Sequence, residues 1–158
     1  MDPLWLKALH LISAALLFGT GLGTAFQMWL AGRTGDPAVI SVVARNTVLA
    51  DWLFTLPAVV VQPISGILLA GALGYPIDSL WIVSAGLLYL LAGFCWLPVV
   101  FLQQRIASLA RGAAVGRLPL PPAAKRLLRI WFWLGWPAFV AVLAIYHLMI
   151  FKPEGLMR

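Results

Sequence analysis

The sequence predicts an all-α membrane protein, an antiparallel bundle of four transmembrane helices in one domain, residues 1–158. The first observation is composition: 63% of the residues are hydrophobic and 10% are charged, with a mean hydropathy of +0.97. Soluble domains carry about 25% charged residues. The second observation is a set of four apolar runs, each at least as long as the roughly 20 residues that a helix needs to cross the hydrocarbon core.

The predicted spans are separated by segments rich in glycine, proline and polar residues. The first connection contains Gly35-Asp36-Pro37, the second contains Gly74-Tyr75-Pro76, and the third, Arg105–Arg126, contains the stretch LPLPP. Each segment is predicted to interrupt a helix, because proline lacks a backbone N–H and glycine favours turns. The third is predicted as a loop or an interfacial helix followed by a break. The spans cover about residues 4–31, 48–72, 80–104 and 127–151.

Lysine and arginine are concentrated in the first and third connections, which share one side of the bundle, while the second connection has none. Basic loops stay in the cytoplasm. Both termini are therefore predicted on the outer, periplasmic side of a bacterial inner membrane that the chain crosses several times. These loops also account for the net charge of +6, so we expect no nucleic-acid partner. The basic residues concerned are Arg33, Arg45, Arg105, Arg111, Arg117, Lys125 and Arg126.

Polar residues inside the spans are candidates for function, because an ionisable group facing lipid costs several kcal/mol. The ionisable ones are Lys7, His10, Asp51 and His147. Three–four spacing places polar side chains on one face of each of the first two helices. The stripe on helix one consists of His10, Ser13, Leu17, Thr20, Thr24 and Gln27, and the stripe on helix two consists of Asp51, Thr55, Ala58, Gln62 and Ser65.

The two histidines are predicted at matched depth near the outer surface, one on the first helix and one on the last. Imidazoles on facing helices are a known way to hold haem iron from both sides. We therefore predict a haem b site with His10 and His147 as ligands, Lys7 beside a propionate, and Ala14 and Gly21 leaving room for the macrocycle. Two alternatives stay open, namely a simple polar contact between helices and another metal ion bound by the same histidines.

Asp51 lies about one turn inside the predicted cytoplasmic boundary of the second span. We expect a satisfied carboxylate that fixes helix packing, with a partner among Arg45, Gln27 and Arg105. A proton-handling role for Asp51 is the alternative.

Several phrases of the sequence resemble a family of uncharacterised bacterial integral-membrane proteins, DUF2269. They are LKALHLISAALLFGTGLGTAFQMWLA, VLADWLFTLPAVVVQPISG, CWLPVVFLQQR and WFWLGWPAF. The resemblance covers essentially the whole chain and implies four membrane spans.

The opening WLKALHLIS is also similar to the start of HemJ-type protoporphyrinogen oxidases, which are associated with haem b, and in style to CopD-like copper-resistance proteins. This resemblance implies that His10 is a haem ligand with Lys7 nearby. The chain reads TAFQMWLAGR where the HemJ pattern leads to an arginine and a second histidine, and its third span lacks the HemJ lysine. The resemblance therefore implies a haem-binding scaffold rather than protoporphyrinogen oxidation.

The sequence thus predicts a haem b-binding membrane protein that takes part in redox chemistry or electron transfer at the periplasmic leaflet. If the protein is an enzyme, we expect a haem-dependent membrane oxidoreductase, and no catalytic residue is identified. The alternatives are a non-catalytic membrane subunit or assembly factor and a CopD-like metal-handling transporter. The expected partners are the lipid bilayer and, as candidates, a quinone, a redox partner protein or further copies of the chain.

Overall fold

The computed structural model of the protein describes residues 2–152, and that part of the chain is entirely helical apart from its turns. The helices are α1 (Pro3–Thr34), α2 (Pro37–Ala50), α3 (Leu56–Ala72), α4 (Leu80–Val115) and α5 (Pro122–Phe151), with a π-helical turn, Asp51–Thr55, joining α2 to α3. Because α2, the π-turn and α3 run on without a break, the described chain contains four helices long and apolar enough to cross a membrane. The predicted fold class is confirmed.

The break between α1 and α2 is much shorter than the sequence suggested. Gly35 adopts a left-handed conformation (φ 66°) that ends α1, and Asp36 caps the next helix by accepting a hydrogen bond from the Ala38 N–H over 2.8 Å. Pro37 occupies the first position of α2, where its missing N–H costs nothing. Gly35 therefore ends α1, and Asp36 and Pro37 begin α2 directly after it. Residues 37–47, which were predicted as part of a connection, are helical.

The third connection is likewise mostly helix. α4 continues to Val115, and only residues 116–121 separate it from α5. A helix of 36 residues is about 54 Å long, whereas the hydrocarbon core is about 30 Å thick. The basic ends of these helices therefore extend beyond the apolar part of the spans.

The helices pack in the order α1, α2–α3, α4, α5, with slight contact between α1 and α5. The largest cluster of buried apolar side chains lies at one end of the bundle, next to the α1–α2 and α4–α5 connections, which we call the loop end. Bulky and small apolar side chains interdigitate there, namely Met28, Ala31, Ile40, Ala44, Val99, Ile106, Ala110, Leu120, Ala124 and Trp131.

The opposite end, which we call the terminal end, holds the start of α1, the end of α5 and the α3–α4 turn. The Tyr146 hydroxyl donates to the Ala14 carbonyl over 2.9 Å, and the Phe18 ring packs against Phe139 and Tyr146. These contacts place the start of α1 beside the end of α5, which is the antiparallel arrangement that short connections predict.

Candidate functional site

His10 lies on α1 near the terminal end, and its imidazole points at α3. Its Nδ1 is 3.1 Å from the Ser65 hydroxyl oxygen, and its Nε2 is 3.3 Å from the Gln62 side-chain nitrogen. Ser13, one turn further along α1, reaches the Gln62 side-chain oxygen. We call His10, Ser13, Gln62 and Ser65 the His10 cluster, and it joins the predicted polar stripes of the first two membrane-crossing helices.

The hydrogen bonds of the His10 cluster engage both ring nitrogens of the imidazole. The Ser65 hydroxyl donates to the Gln62 backbone carbonyl over 3.2 Å, so it is placed to accept from Nδ1–H of His10. The Ser13 hydroxyl lies within hydrogen-bond distance of both the His10 backbone carbonyl, at 3.0 Å, and the Gln62 amide. Nε2 of His10 lies against the Gln62 amide, and it presents a lone pair where the amide nitrogen faces it.

Gly66 forms the floor under the imidazole. A Cβ atom built on Gly66 would lie 3.0 Å from Cε1 and 3.5 Å from Nδ1 of His10. Carbon atoms in protein interiors are normally about 3.5–4.0 Å apart at closest approach. The ring thus lies against bare backbone, and a glycine is needed at this point of α3.

The His10 cluster lies in the interior of the bundle and not on its surface. Ser65 and Ser13 expose 1% and 3% of their surfaces, and His10 is half-buried between them. Polar groups in the apolar part of a bundle need hydrogen-bond partners, because water is not available to replace them. Every polar side chain of the cluster has such a partner.

His147, the second predicted haem ligand, is not part of the His10 cluster. His147 is exposed on α5, and its ring stacks against Phe151 with centroids 4.5 Å apart. The neighbouring Tyr146, not His147, turns towards α1. The structure places both histidines towards the terminal end but shows His10 in contact with α3 only, so their pairing stays a prediction.

The positions predicted to flank the haem are largely uncovered. Lys7 and Gly21 are exposed, and a Cβ on Gly21 would meet no atom within 4 Å. Ala14 offers its carbonyl to Tyr146. Further along the same stripe, Thr20 is half-buried and Gln27 is exposed. Among residues 2–152, no group of three His, Cys, Asp or Glu side chains lies close enough to hold a metal ion.

A second polar cluster surrounds Asp51 at the π-turn. The carboxyl is 5% exposed, and its Oδ1 accepts from the Thr55 hydroxyl over 2.9 Å. With the Gln103 amide nitrogen turned towards the carboxyl, Gln103 donates to Oδ2 over 2.8 Å and accepts from the Trp131 indole N–H over 3.2 Å. We call Asp51, Thr55, Gln103 and Trp131 the Asp51 cluster, which ties the π-turn to α4 and α5.

The predicted partners of Asp51 were wrong. Arg45, Gln27 and Arg105 are all exposed, and long charged side chains near a membrane boundary keep their heads in water. Gln103 is instead buried next to the π-turn. An amide from a neighbouring helix therefore satisfies the carboxyl without burying a second charge.

The π-turn makes it possible for one membrane-crossing helix to serve both clusters. The Leu56 N–H donates to the Asp51 carbonyl, five residues back, directly before Pro57, which has no N–H to donate. The wider turn changes the rotational phase of the helix. Asp51 consequently faces α4 and α5, while Gln62 and Ser65 face α1.

Sequence reasoning missed Gly66 and the pairing of Gln103 with Trp131. Gly66 directly follows Ser65 on the polar stripe, and a glycine inside an apolar helix is a signal of close approach. Gln103 was recognised as a polar residue in a span, yet nothing in the sequence selects it over its neighbour Gln104.

Comparison with known proteins supports the membrane assignment. The sequence model of DUF2269, described as a predicted integral membrane protein, matches residues 4–153. No curated protein matches the chain, and no solved structure does.

Proposed function

Because the chain belongs to the DUF2269 family of predicted integral membrane proteins, we propose a function from its own polar sites. The proposal is a haem b-binding protein of the membrane that takes part in electron transfer, with His10 as an axial ligand. Its place is the terminal end of the bundle, which we assign to the outer face of a bacterial inner membrane. The lipid bilayer is then its immediate environment.

One observation carries the proposal, namely that the His10 cluster contacts both ring nitrogens of the imidazole and fixes its orientation. Histidines that bind metals usually donate their other ring N–H to a fixed acceptor, which sets the tautomer and the ring orientation. Ser65, 3.1 Å from Nδ1 of His10, is placed to accept such a bond, and on this proposal Nε2 keeps its lone pair for the iron. Gly66 holds the plane of the ring.

The residues fit one axial ligand better than two. Haem b supplies a centre that accepts and releases single electrons. For His10 to act as a ligand, the Gln62 amide has to withdraw from Nε2, while Ser65 keeps Nδ1–H in place. His147 is exposed and packs on Phe151, so it reaches the same space only after a change of side-chain rotamer.

The test is an absorption spectrum of the purified protein from cells supplied with excess haem. We expect a Soret band that His10→Ala abolishes. Ser65→Ala should retain haem with a shifted reduction potential, because the lost hydrogen bond changes the basicity of the ligand. A colourless wild-type protein, or an unchanged spectrum in His10→Ala, would overturn the proposal.

His147→Ala is the matched histidine control and reports on the second ligand. Loss of the band in both histidine variants would support ligation by the pair, whereas a retained but altered spectrum would assign His10 alone. Metal analysis of the same samples distinguishes haem iron from bound copper or zinc.

A second candidate function is a non-catalytic membrane subunit or assembly factor, and a specific observation favours it. Both ring nitrogens of His10 already have partners, so the His10 cluster is complete as a contact between α1 and α3. On this proposal the purified protein is colourless, and His10 variants lower only the stability of the bundle.

A further inference from the structure

A groove opens on the side of the bundle between the π-turn and α4. It has a volume of about 290 Å³ and is bounded mainly by apolar side chains, with Asp51 in its floor and Gln104 at its edge. The apolar lining residues are Trp52, Leu56, Trp96, Leu97, Val100 and Phe101. None of the residues that line the groove belongs to the His10 cluster.

The groove faces lipid rather than water. Its rim residues Leu97 and Phe101 belong to α4, and Trp52 belongs to the π-turn, all of them exposed within membrane-crossing helices. A ligand therefore enters sideways from the bilayer, and it has to be soluble there.

Asp51 determines which chemical group the groove accepts. Thr55 and Gln103 donate to its oxygens, and the Trp96 side chain is close enough to donate as well, whereas a carboxyl group has room for about four hydrogen bonds. A ligand with an O–H donor therefore forms a further hydrogen bond to an oxygen of the Asp51 carboxyl. Fatty acids and phospholipid head groups bring negative charge towards the carboxyl and are disfavoured.

The walls and the volume select the shape of the ligand. The indoles of Trp52 and Trp96 line the groove, and aromatic faces pack well against flat rings. Pockets for drug-sized molecules span about 300–1,000 Å³, so this groove fits one ring with small substituents and leaves an attached tail in the bilayer.

We infer that this groove binds the ring of an isoprenoid quinol, with a quinol hydroxyl donating to the Asp51 carboxyl and the tail lying along α4 in the lipid. Asp51 then holds the head group, and the two tryptophans hold the plane of the ring. The site is independent of haem and uses no residue of the His10 cluster.

The experiment is calorimetric titration of the full chain in phosphatidylcholine nanodiscs with decylubiquinol, kept reduced under argon. Leu97→Trp fills the groove and Leu90→Trp places the same side chain two turns away, where Leu90 is 68% exposed to lipid. We expect Leu97→Trp to weaken binding about tenfold or more and Leu90→Trp to leave it unchanged.

The role of Asp51 is tested separately from the shape of the groove. Asp51→Asn should weaken decylubiquinol about tenfold, the effect of losing one hydrogen bond to a charged group. The dimethyl ether of the same quinol lacks the O–H donor and should bind the wild type as weakly as the quinol binds Asp51→Asn. His10→Ala should bind the quinol normally.

Two outcomes would overturn the inference. Equal binding of the quinol and its ether, unaffected by Leu97→Trp, would show partition into lipid alone. A groove occupied by a spin-labelled phospholipid that decylubiquinol does not displace would show an ordinary contact with bilayer lipid. Loss of quinol binding in Leu97→Trp, with full binding in Leu90→Trp and His10→Ala, would support it.

Discussion

The hydroxyl of Tyr89 on α4 donates to the backbone carbonyl of Val59 on α3 across 2.6 Å. In a regular helix the Val59 carbonyl would accept from the N–H of residue 63, but residue 63 is proline and has none. Tyr89 therefore satisfies a carbonyl that the helix itself leaves without its usual partner. Inside a membrane no water is available to donate a hydrogen bond to such a carbonyl.

We predict that Tyr89→Phe destabilises the bundle by about 1–3 kcal/mol, the cost of an unsatisfied buried acceptor. Tyr146→Phe is the control, because the Ala14 carbonyl, to which Tyr146 donates, keeps its helical partner at Phe18. That variant should cost about 0.6 kcal/mol, the average for hydrogen bonds between membrane helices. Reversible unfolding in mixed micelles measures both.

Pro63→Ala completes this test. It restores an N–H for the Val59 carbonyl, so Tyr89→Phe should cost less in the Pro63→Ala background than in the wild type. An equal cost in both backgrounds would contradict the explanation.

Gly66→Ala should destabilise the protein by about 1–3 kcal/mol, the usual cost of overpacking. The new methyl group meets the His10 ring, which cannot move aside without breaking its bonds to Ser65 and Gln62. Gly71→Ala, in the same helix and with no atom within 4 Å of the new Cβ, should instead stabilise α3 by up to about 1 kcal/mol.

The double variant Gly66→Ala with His10→Ala identifies the source of the Gly66 effect. Removing the ring should relieve the contact, so the two costs should not add. Additive costs would mean that Gly66 is needed for some reason other than His10.

Gln103→Leu should destabilise the protein by about 2–3 kcal/mol, because it removes the donor to Oδ2 of Asp51 and leaves the Trp131 indole N–H without a partner. Gln104→Leu changes the adjacent, exposed residue in the same way and should alter stability by less than about 0.5 kcal/mol. Similar effects of the two variants would contradict the hydrogen bonds assigned to Gln103.

Hydrogen exchange should differ between the two ends of the bundle. The largest cluster of buried apolar side chains lies at the loop end, and amides in well-packed regions open least often. In detergent we expect slower exchange in the part of α4 around Ile106 than around Ser84, measured by mass spectrometry of peptic fragments. Uniform protection along α4 would contradict tighter packing at the loop end.

The proposed orientation in the membrane rests on the basic loops and can be tested by labelling. In a Cys95→Ser background, Asp78→Cys near the α3–α4 turn should react with an impermeant maleimide added to intact cells. Val115→Cys at the loop end should react only after lysis. The reverse pattern would place the termini in the cytoplasm.

The number of spans and their antiparallel order could be predicted from hydropathy alone, since an apolar run of this length has few alternatives. Helical spacing also placed His10, Ser13, Gln62 and Ser65 on polar stripes. Spacing does not reveal which neighbour a stripe faces. Successive residues are rotated by about 100° around the helix axis. The position of His147 along α5 therefore does not decide its direction, and the neighbouring Tyr146 is the residue that faces α1.

The partner of Asp51 could not be predicted for a related reason. A carboxyl attracts cations, so the sequence pointed to arginines. The π-turn breaks the regular spacing and turns Asp51 towards Gln103, and π-turns have no reliable sequence signature. The extent of the helices was also underestimated, because hydropathy marks the part inside the membrane and caps such as Asp36 mark where helices begin.

The position of the hydrophobic core has a consequence for how this protein can change over evolutionary time. Packing at the loop end holds all four membrane-crossing helices together. Substitutions at the terminal end that keep the contact between α1 and α3 therefore leave the bundle assembled. If His10 binds a ligand as proposed, exposed neighbours such as Lys7 and Gly21 can change without loss of packing, so the same bundle can acquire a different chemistry at its terminal end.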